Sequence, residues 1–567
     1  ARTMVRQRKT FDSLLTVGCP HLRNFRSFVR MVGIPFGVSL PEPVICGESG
    51  EARLSFLKKF CGGLLEGDVS HLWHRPTRRL SVDSRWSIAM SLFLFRKVLP
   101  SLEPDLLAYC RRMSVPSDEP DPGFLAYVRK RVPQMFPEGW DKNYPLACLN
   151  STLPVKSCRQ RGQTSGGARV EGVNNRWDGH EGYALDVLAR ESRVQLLPSR
   201  VVSVETGGKH RIVSVADVNA NLFRPLHTSM YNHLSKFPWL LRGDAKVARF
   251  SEFTTVPGQV FVSGDYESAT DNLNAKLQRE ILRLILDNAR SVPAGIRDSA
   301  PSMLRSVLEC MTSEGRRETF VQERGQLMGN LLSFPLLCIV NYLGFRYYSG
   351  CKGPCRVNGD DIVFRGTPLE ANRWMEGVKG AGLTLSKGKT LVHRRFFSLN
   401  STLFKAGPKK IHLVPMVRST AFGYRAECGG VETLAGRFRS FCVGFHGNRR
   451  FQLRTEFLVW NRKYVMASRR SLVRGIGMNV HKGELVAAGL WDRECYYLSL
   501  PEERPLPPRP ARLEQERKPP GWSLRRVDRI TKEMRRESRG SGPAFVACAW
   551  SPCTVGATVD EKEWRLK

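Results

Sequence analysis

The chain has 567 residues, 41% apolar and 9% aromatic, which suits a large globular protein of several domains and excludes a disordered one. Lys and Arg number 88 against 53 Asp and Glu, a net charge of +35 spread along the chain rather than gathered in one block. An excess of that size and spread points to a broad basic channel or surface facing a polyanion, with nucleic acid the expected partner.

The opening ARTMVRQRKTF is basic but lacks the apolar core of a secretion signal. Residues 1–195 mix short helical and loop patterns and contain a Gly/Ser/Arg-rich loop from Ser157 to Gly172. The fifteen cysteines are scattered, and Cys351 and Cys355 lack a second pair at zinc-finger spacing. Buried free thiols in a reducing compartment are the expectation, the cytoplasm with mitochondria also open. No internal repeat is present.

From Leu196 to Lys410 strand and helix signals alternate. RVVSVETGGKHRIVSV, Arg200 to Val215, reads as two strands joined by a Gly-Gly turn, with Arg200, Lys209 and Arg211 facing a triphosphate. QVFVS is a buried strand, after which Asp265 lies at its C-terminal edge, where α/β layers bind ligands. A helix then opens, capped by Thr270 or Asp271, with Leu273, Leu277, Ile281 and Leu284 on one face.

In ERGQLMGNLLSFPLLCIVN, Gly325 and Gly329 bracket a mobile loop, and a buried helix begins near Ser333, whose hydroxyl faces a ribose. The apolar run that follows is broken by Ser333, Pro335 and Asn341, so it reads as core and not as a membrane span. Next comes RVNGDDIVF, a hairpin with an Asn358-Gly359 turn and Asp360 and Asp361 at its tip. Two carboxylates about 4 Å apart repel by roughly 4 kcal/mol at an effective dielectric near 20, which a multivalent cation between them relieves. If the hairpin lies beside Asp265, three hard oxygen donors converge, a set that suits two Mg²⁺ or Mn²⁺ ions and phosphates.

GAGLTLSKGKT fails as a phosphate-binding Walker loop because one residue too many separates Gly382 from Gly388; Lys387 and Lys389 are read as cations beside a phosphate site. Residues 411–500 read as helical and basic. From Pro501 the chain is rich in Pro and charge and reads as a linker or arm.

In order, these segments resemble the palm motifs of positive-strand RNA virus RNA-dependent RNA polymerases. SGDYESATD resembles motif A, GQLMGNLLSFPLLCIVN motif B, VNGDD motif C, GLTLSKGKT motif D, FFSLNST motif E and TGGKHRIVSV motif F. The wording of motifs A and B is most similar to the ourmia-like viruses, within the levivirus, narnavirus and mitovirus lineage.

The resemblance implies an α/β right-hand fold: an N-terminal region with part of the fingers over 1–195, fingers over 196–255, palm over 256–400 with a fingers insertion near 288–322, thumb over 401–500, and an arm over 501–567. It implies that Asp265 and Asp360, assisted by Asp361, bind two Mg²⁺ or Mn²⁺ ions, and that Arg200, Lys209 and Arg211 hold the triphosphate. Asp271 and Ser333 would sense the ribose 2′-hydroxyl beside Gly329, and Lys389, or else Lys387, would be the general acid for pyrophosphate. RNA template, RNA product and nucleoside triphosphates are the implied partners.

Two positions depart from the wider pattern. Thr270 stands where many relatives have the second motif A aspartate, and Leu337 where many have an Asn paired with it. A reverse transcriptase shares the paired aspartates but places an aromatic sugar gate where this chain has Ala269 and Thr270. A non-enzymatic RNA-coating protein explains the charge but not the spaced acidic clusters.

Overall fold

The structure, a computed structural model, describes residues 20–44, 50–95, 103–206, 209–312, 314–386, 390–422 and 434–500, together with the short pairs 522–523 and 551–552. The Pro-rich arm foreseen after Pro501 otherwise lies outside the described residues.

β3 (Val260–Gly264) is buried at every position because strands flank it on both sides and helices cover it. Its neighbours are β7 (Asp361–Gly366) and β8 (Leu391–His393), and β6 (Cys355–Asn358) completes the order β6-β7-β3-β8, all antiparallel. The apolar helix Ser333–Ser349 packs against this sheet, with the Phe345 and Phe364 ring centroids 4.5 Å apart. The predicted strand and helix are therefore both present.

A second sheet joins β1 (Ser199–Thr206) and β2 (Lys209–Val215) to β4 (Val307–Met311) and β5 (Arg317–Val321), in the order β2-β1-β4-β5. The region foreseen as an insertion thus lies in one sheet with the basic hairpin. A third, of β9 (Phe396–Leu399), β10 (Thr402–Ala406) and β11 (Ile411–Leu413), backs the first through Phe250, Phe261, Phe397 and Phe404. Its β9–β10 loop is Asn400 and Ser401, both with positive φ, the conformation that matches strand twist in two-residue hairpins.

The described residues of 20–195 do not pack as one unit. Phe124, Tyr144 and Tyr183 join the core of the central sheet. Helices Pro20–Gly33, Gly50–Glu66 and Val82–Phe95 instead share a core with helices Leu434–Phe441 and Gly447–Trp460, where Phe28 meets Phe95 and Phe422 at 5.0 and 5.6 Å. Among the described residues, no helix is long and apolar enough to cross a membrane.

Candidate active site

Asn358 pairs with Asp361, so the hairpin loop is Gly359 and Asp360, one residue later than the Asn-Gly reading. Asn358 is held back as the last residue of β6, its Nδ2 donating to Leu241 O at 2.7 Å. Gly359, at φ +65°, supplies the left-handed residue that the tight loop needs. Asp360 is therefore the exposed tip and Asp361 opens β7. Gly264 pairs with Ile362, so the next position on that chain, Asp265, comes beside Asp361. The carbonyl of Asp265 accepts from Ser386 N at 2.8 Å, tying the edge of β3 to the segment before Lys387.

Asn341 fixes the turn from behind. It is fully buried; its Oδ1 accepts from the Tyr266 hydroxyl at 2.7 Å, and its Nδ2 donates to the carbonyls of Gly359 at 3.0 Å and Asp360 at 3.3 Å. Burial raises the Tyr266 hydroxyl far above its ordinary value, so it stays a donor. The sequence reading took Asn341 only as a break in an apolar run. The signal was there, since a buried amide must find partners.

The hairpin opens into a cleft of about 620 Å³, lined also by Arg211 of β2, Asp271, Gly329 and Ser333. Asp360, Asp361 and these four predicted residues are thus brought to one cavity. His210 and Asn400 line it as well, and both were missed. Arg200 is not brought in; it sits at the far end of β1, opposite Val215, with Nη2 donating to Cys158 O at 3.3 Å. Lys209 opens β2 opposite Thr206, but its side chain, like all of Lys387 and Lys389, lies outside the described residues.

The loop expected to be mobile is tied on two sides. Gly325 N and Gln326 N donate to Leu273 O and Thr270 O, at 2.9 and 2.6 Å, and Ser214 N of β2 donates to Met328 O at 2.8 Å. Gly329 has φ +107°, and a Cβ there would lie 2.4 Å from the carbonyl of Ser214, so only glycine fits. Ser333 is nearly buried and donates Oγ–H to Leu327 O at 3.1 Å, leaving oxygen lone pairs to accept from a ligand hydroxyl.

The capping role foreseen for Thr270 or Asp271 is not observed. After a short turn, Ala269–Asn272, the chain breaks at Leu273, and Asn274 caps the helix Ala275–Asp287 through Leu277 N at 3.0 Å. Asp271 is thereby released into the cleft. Its Oδ2 meets Arg112 Nη2 at 2.6 Å and its Oδ1 accepts from Thr270 Oγ1 at 3.1 Å. Burial raises its carboxyl above the usual range, and Arg112 and Thr270 work against that rise. Arg112 belongs to helix Leu106–Met113, for which the sequence offered no functional signal.

A second cavity of about 330 Å³, at the other end of the hairpin, gathers Arg346, Arg356 and Arg365. Their guanidiniums are spent on backbone carbonyls, among them those of Cys351, Arg249 and Thr254, so they brace loops.

Among the described residues, no group of three His, Cys, Asp or Glu side chains forms a ready metal cage. Cys351 and Cys355 are free and buried. Asp360 and Asp361 at the cleft, with Asp265 next in register, still suit Mg²⁺, which binds through one or two carboxylates, keeps water and completes its shell with substrate phosphates.

Residues 200–418 match the family described as mitovirus RNA-dependent RNA polymerase. The RNA-dependent RNA polymerase of Ourmia melon virus (isolate Melon/Iran/VE9) is 32% identical over 233 residues, covering 35% of this chain and 27% of that protein; the likeness thus spans about a quarter of the relative's length. The solved RNA-dependent RNA polymerase of a human picorbirnavirus aligns with a TM-score of 0.47 at 13% identity, covering 76% of this chain and 86% of that one. Its insertion-loop deletion mutant aligns with a TM-score of 0.45 at 12% identity, covering 77% and 89%. Residues 200–418, the segment that supplies most of the cleft and all three hairpin-side aspartates, are thus similar to viral RNA-dependent RNA polymerases of the mitovirus and ourmia-like lineage.

Proposed function

We propose that the chain is an RNA-directed RNA polymerase that copies a viral positive-strand genome from nucleoside triphosphates, with the central sheet as the palm of a right-hand fold. The observation that carries this is the meeting of Asp360, Asp361, Asp271, Ser333 and Arg211 in one cleft, with Asp265 beside Asp361. Asp265, Asp360 and Asp361 would hold two divalent ions, which would supply activation of the attacking 3′-hydroxyl and offset charge on the leaving pyrophosphate.

Arg211, with Lys209 on the same strand, neutralises the triphosphate and orients it. Asp271 and Ser333 present acceptor oxygens to the ribose 2′-hydroxyl. Asn341 holds the Asp360 turn without adding charge beside it. Lys389, or Lys387, delivers a proton to pyrophosphate as it leaves. RNA lies along the basic surface, and the host cytoplasm is the expected setting.

The test is extension of a primed RNA template by the full chain with Mg²⁺ or Mn²⁺, native against Asp360→Asn. Native synthesis, abolished in the variant while RNA affinity stays within a few-fold, is the expected result. Full-length product from Asp360→Asn would overturn the assignment. Salt-sensitive RNA binding with no metal-dependent synthesis would favour the RNA-coating reading instead.

A further inference from the structure

The helix Leu106–Met113 lies outside the segment shared with the polymerase family, yet it reaches the cleft. Asp105 caps it, accepting from Leu107 N and Ala108 N at 3.0 Å. Tyr109, Cys110 and Met113 are buried against Val201 of β1, Leu308 of β4 and Leu327. The Met113 carbonyl accepts from Glu323 N and Arg324 N at 2.9 and 3.2 Å, immediately before the tied glycine loop. The helix is thus docked on the fingers-side sheet and the loop together, and Tyr109 lines the cleft beside Asp271.

We propose that this helix forms the sugar-side wall of the nucleotide site, and that Arg112 is a positioning residue that sets ribo- over deoxyribonucleotide preference through Asp271. The inference deepens the polymerase reading and rests on it.

An exposed Arg–carboxylate pair contributes little by itself. This one differs in two respects. Its carboxylate is only 17% exposed within the cleft, and the guanidinium is steadied over the Tyr109 ring, 5.5 Å from the centroid. Each Asp271 oxygen accepts one hydrogen bond, from Arg112 or from Thr270, so the carboxylate has a set orientation with lone pairs to spare. An ionised carboxylate only accepts, and a 2′-hydroxyl donates. A deoxy sugar leaves that buried acceptor unmatched, the condition under which a site rejects an analogue lacking a hydroxyl. Without Arg112, the bond that fixes Oδ2 is lost and the carboxylate can turn away from the sugar, so the distinction between the two sugars fades.

The experiment measures binding of ATP and 2′-deoxyATP to the full chain on primed RNA, alongside kcat/KM for single-nucleotide extension with each. Native chain is expected to prefer ATP in both. Arg112→Ala narrows that preference about tenfold, the size of a coupling between residues in contact, and Arg112→Lys restores part of it. In an Asp271→Asn background, Arg112→Ala changes the ratio no further. An unchanged ATP to 2′-deoxyATP ratio in Arg112→Ala of native melting temperature overturns the proposal, as does an equal loss for both nucleotides or a native chain with no preference. A chain that prefers ATP in binding but never extends the primer removes the polymerase reading and leaves the sugar site standing. One that extends normally with an unchanged ratio does the reverse.

Discussion

The aspartate turn and the helical core built from residues 25–95 and 417–490 each lean on buried polar groups, of different kinds. Behind the aspartate hairpin the buried group is a neutral amide, Asn341, bonded to a hydroxyl and two carbonyls. In the helical core it is an ion pair: Arg454 and Glu484 meet at 3.0 Å with side chains 4% and 3% exposed. Glu494, fully buried there, accepts from the Ser471 hydroxyl and from Leu472 N. A buried charge behind Asp360 would shift the ionisation of the carboxylates and compete with cation and phosphate. An amide fixes the same geometry with no net charge. The helical core has no such chemistry beside it, so it tolerates full charges provided they are paired.

This contrast can be broken from either side. Asp360→Asn removes a charge at the exposed turn and is expected to lower extension at least about a thousandfold, roughly 4 kcal/mol in the barrier, while denaturant unfolding stays unchanged. Glu484→Ala should do the converse. It strands Arg454 in the core and costs about 3 kcal/mol or more of unfolding free energy, with extension at low temperature intact. Loss of extension in the folded Glu484 variant would show that the helical core and the cleft are coupled.

Asn341→Leu lies between these cases. It leaves the Tyr266 hydroxyl and two carbonyls unpaired, so about 2 kcal/mol of stability and a drop in kcat with little change in KM are expected. Normal kcat in that variant would remove its positioning role. Gly359→Ala keeps every polar contact but forces a side chain into the left-handed region, at a cost of about 1–2 kcal/mol readable in thermal unfolding. The smallest effect is that of Ser333→Ala, a few-fold loss of ribo- over deoxyribonucleotide discrimination in single-nucleotide extension. Unchanged discrimination would leave the sugar contact to Asp271.

What could be read in the sequence were features settled within a few residues. The apolar run of β3, the glycine turn before Asp361, the Gly-Gly hairpin of β1 and β2, and the helix after Ser333 all follow from periodicity and turn chemistry, which act locally. The errors there were local ones: the turn moved by one residue, to Gly359 and Asp360, and the cap by three, from Asp271 to Asn274, because nearby residues offered nearly equal local chemistry and packing chose between them.

Tertiary structure alone decided the partners across the chain. Arg112 and Asp271 are 159 residues apart and Tyr266 and Asn341 are 75, and no pattern in either segment marks its mate. The same holds for the shared core of residues 25–95 and 417–490, where each helix carries an apolar face that fits many partners. Residue type and spacing determined which groups can do chemistry in this protein. Which of them meet was decided by packing the whole chain, because side-chain contacts depend on shape and distance in three dimensions and leave no period in one.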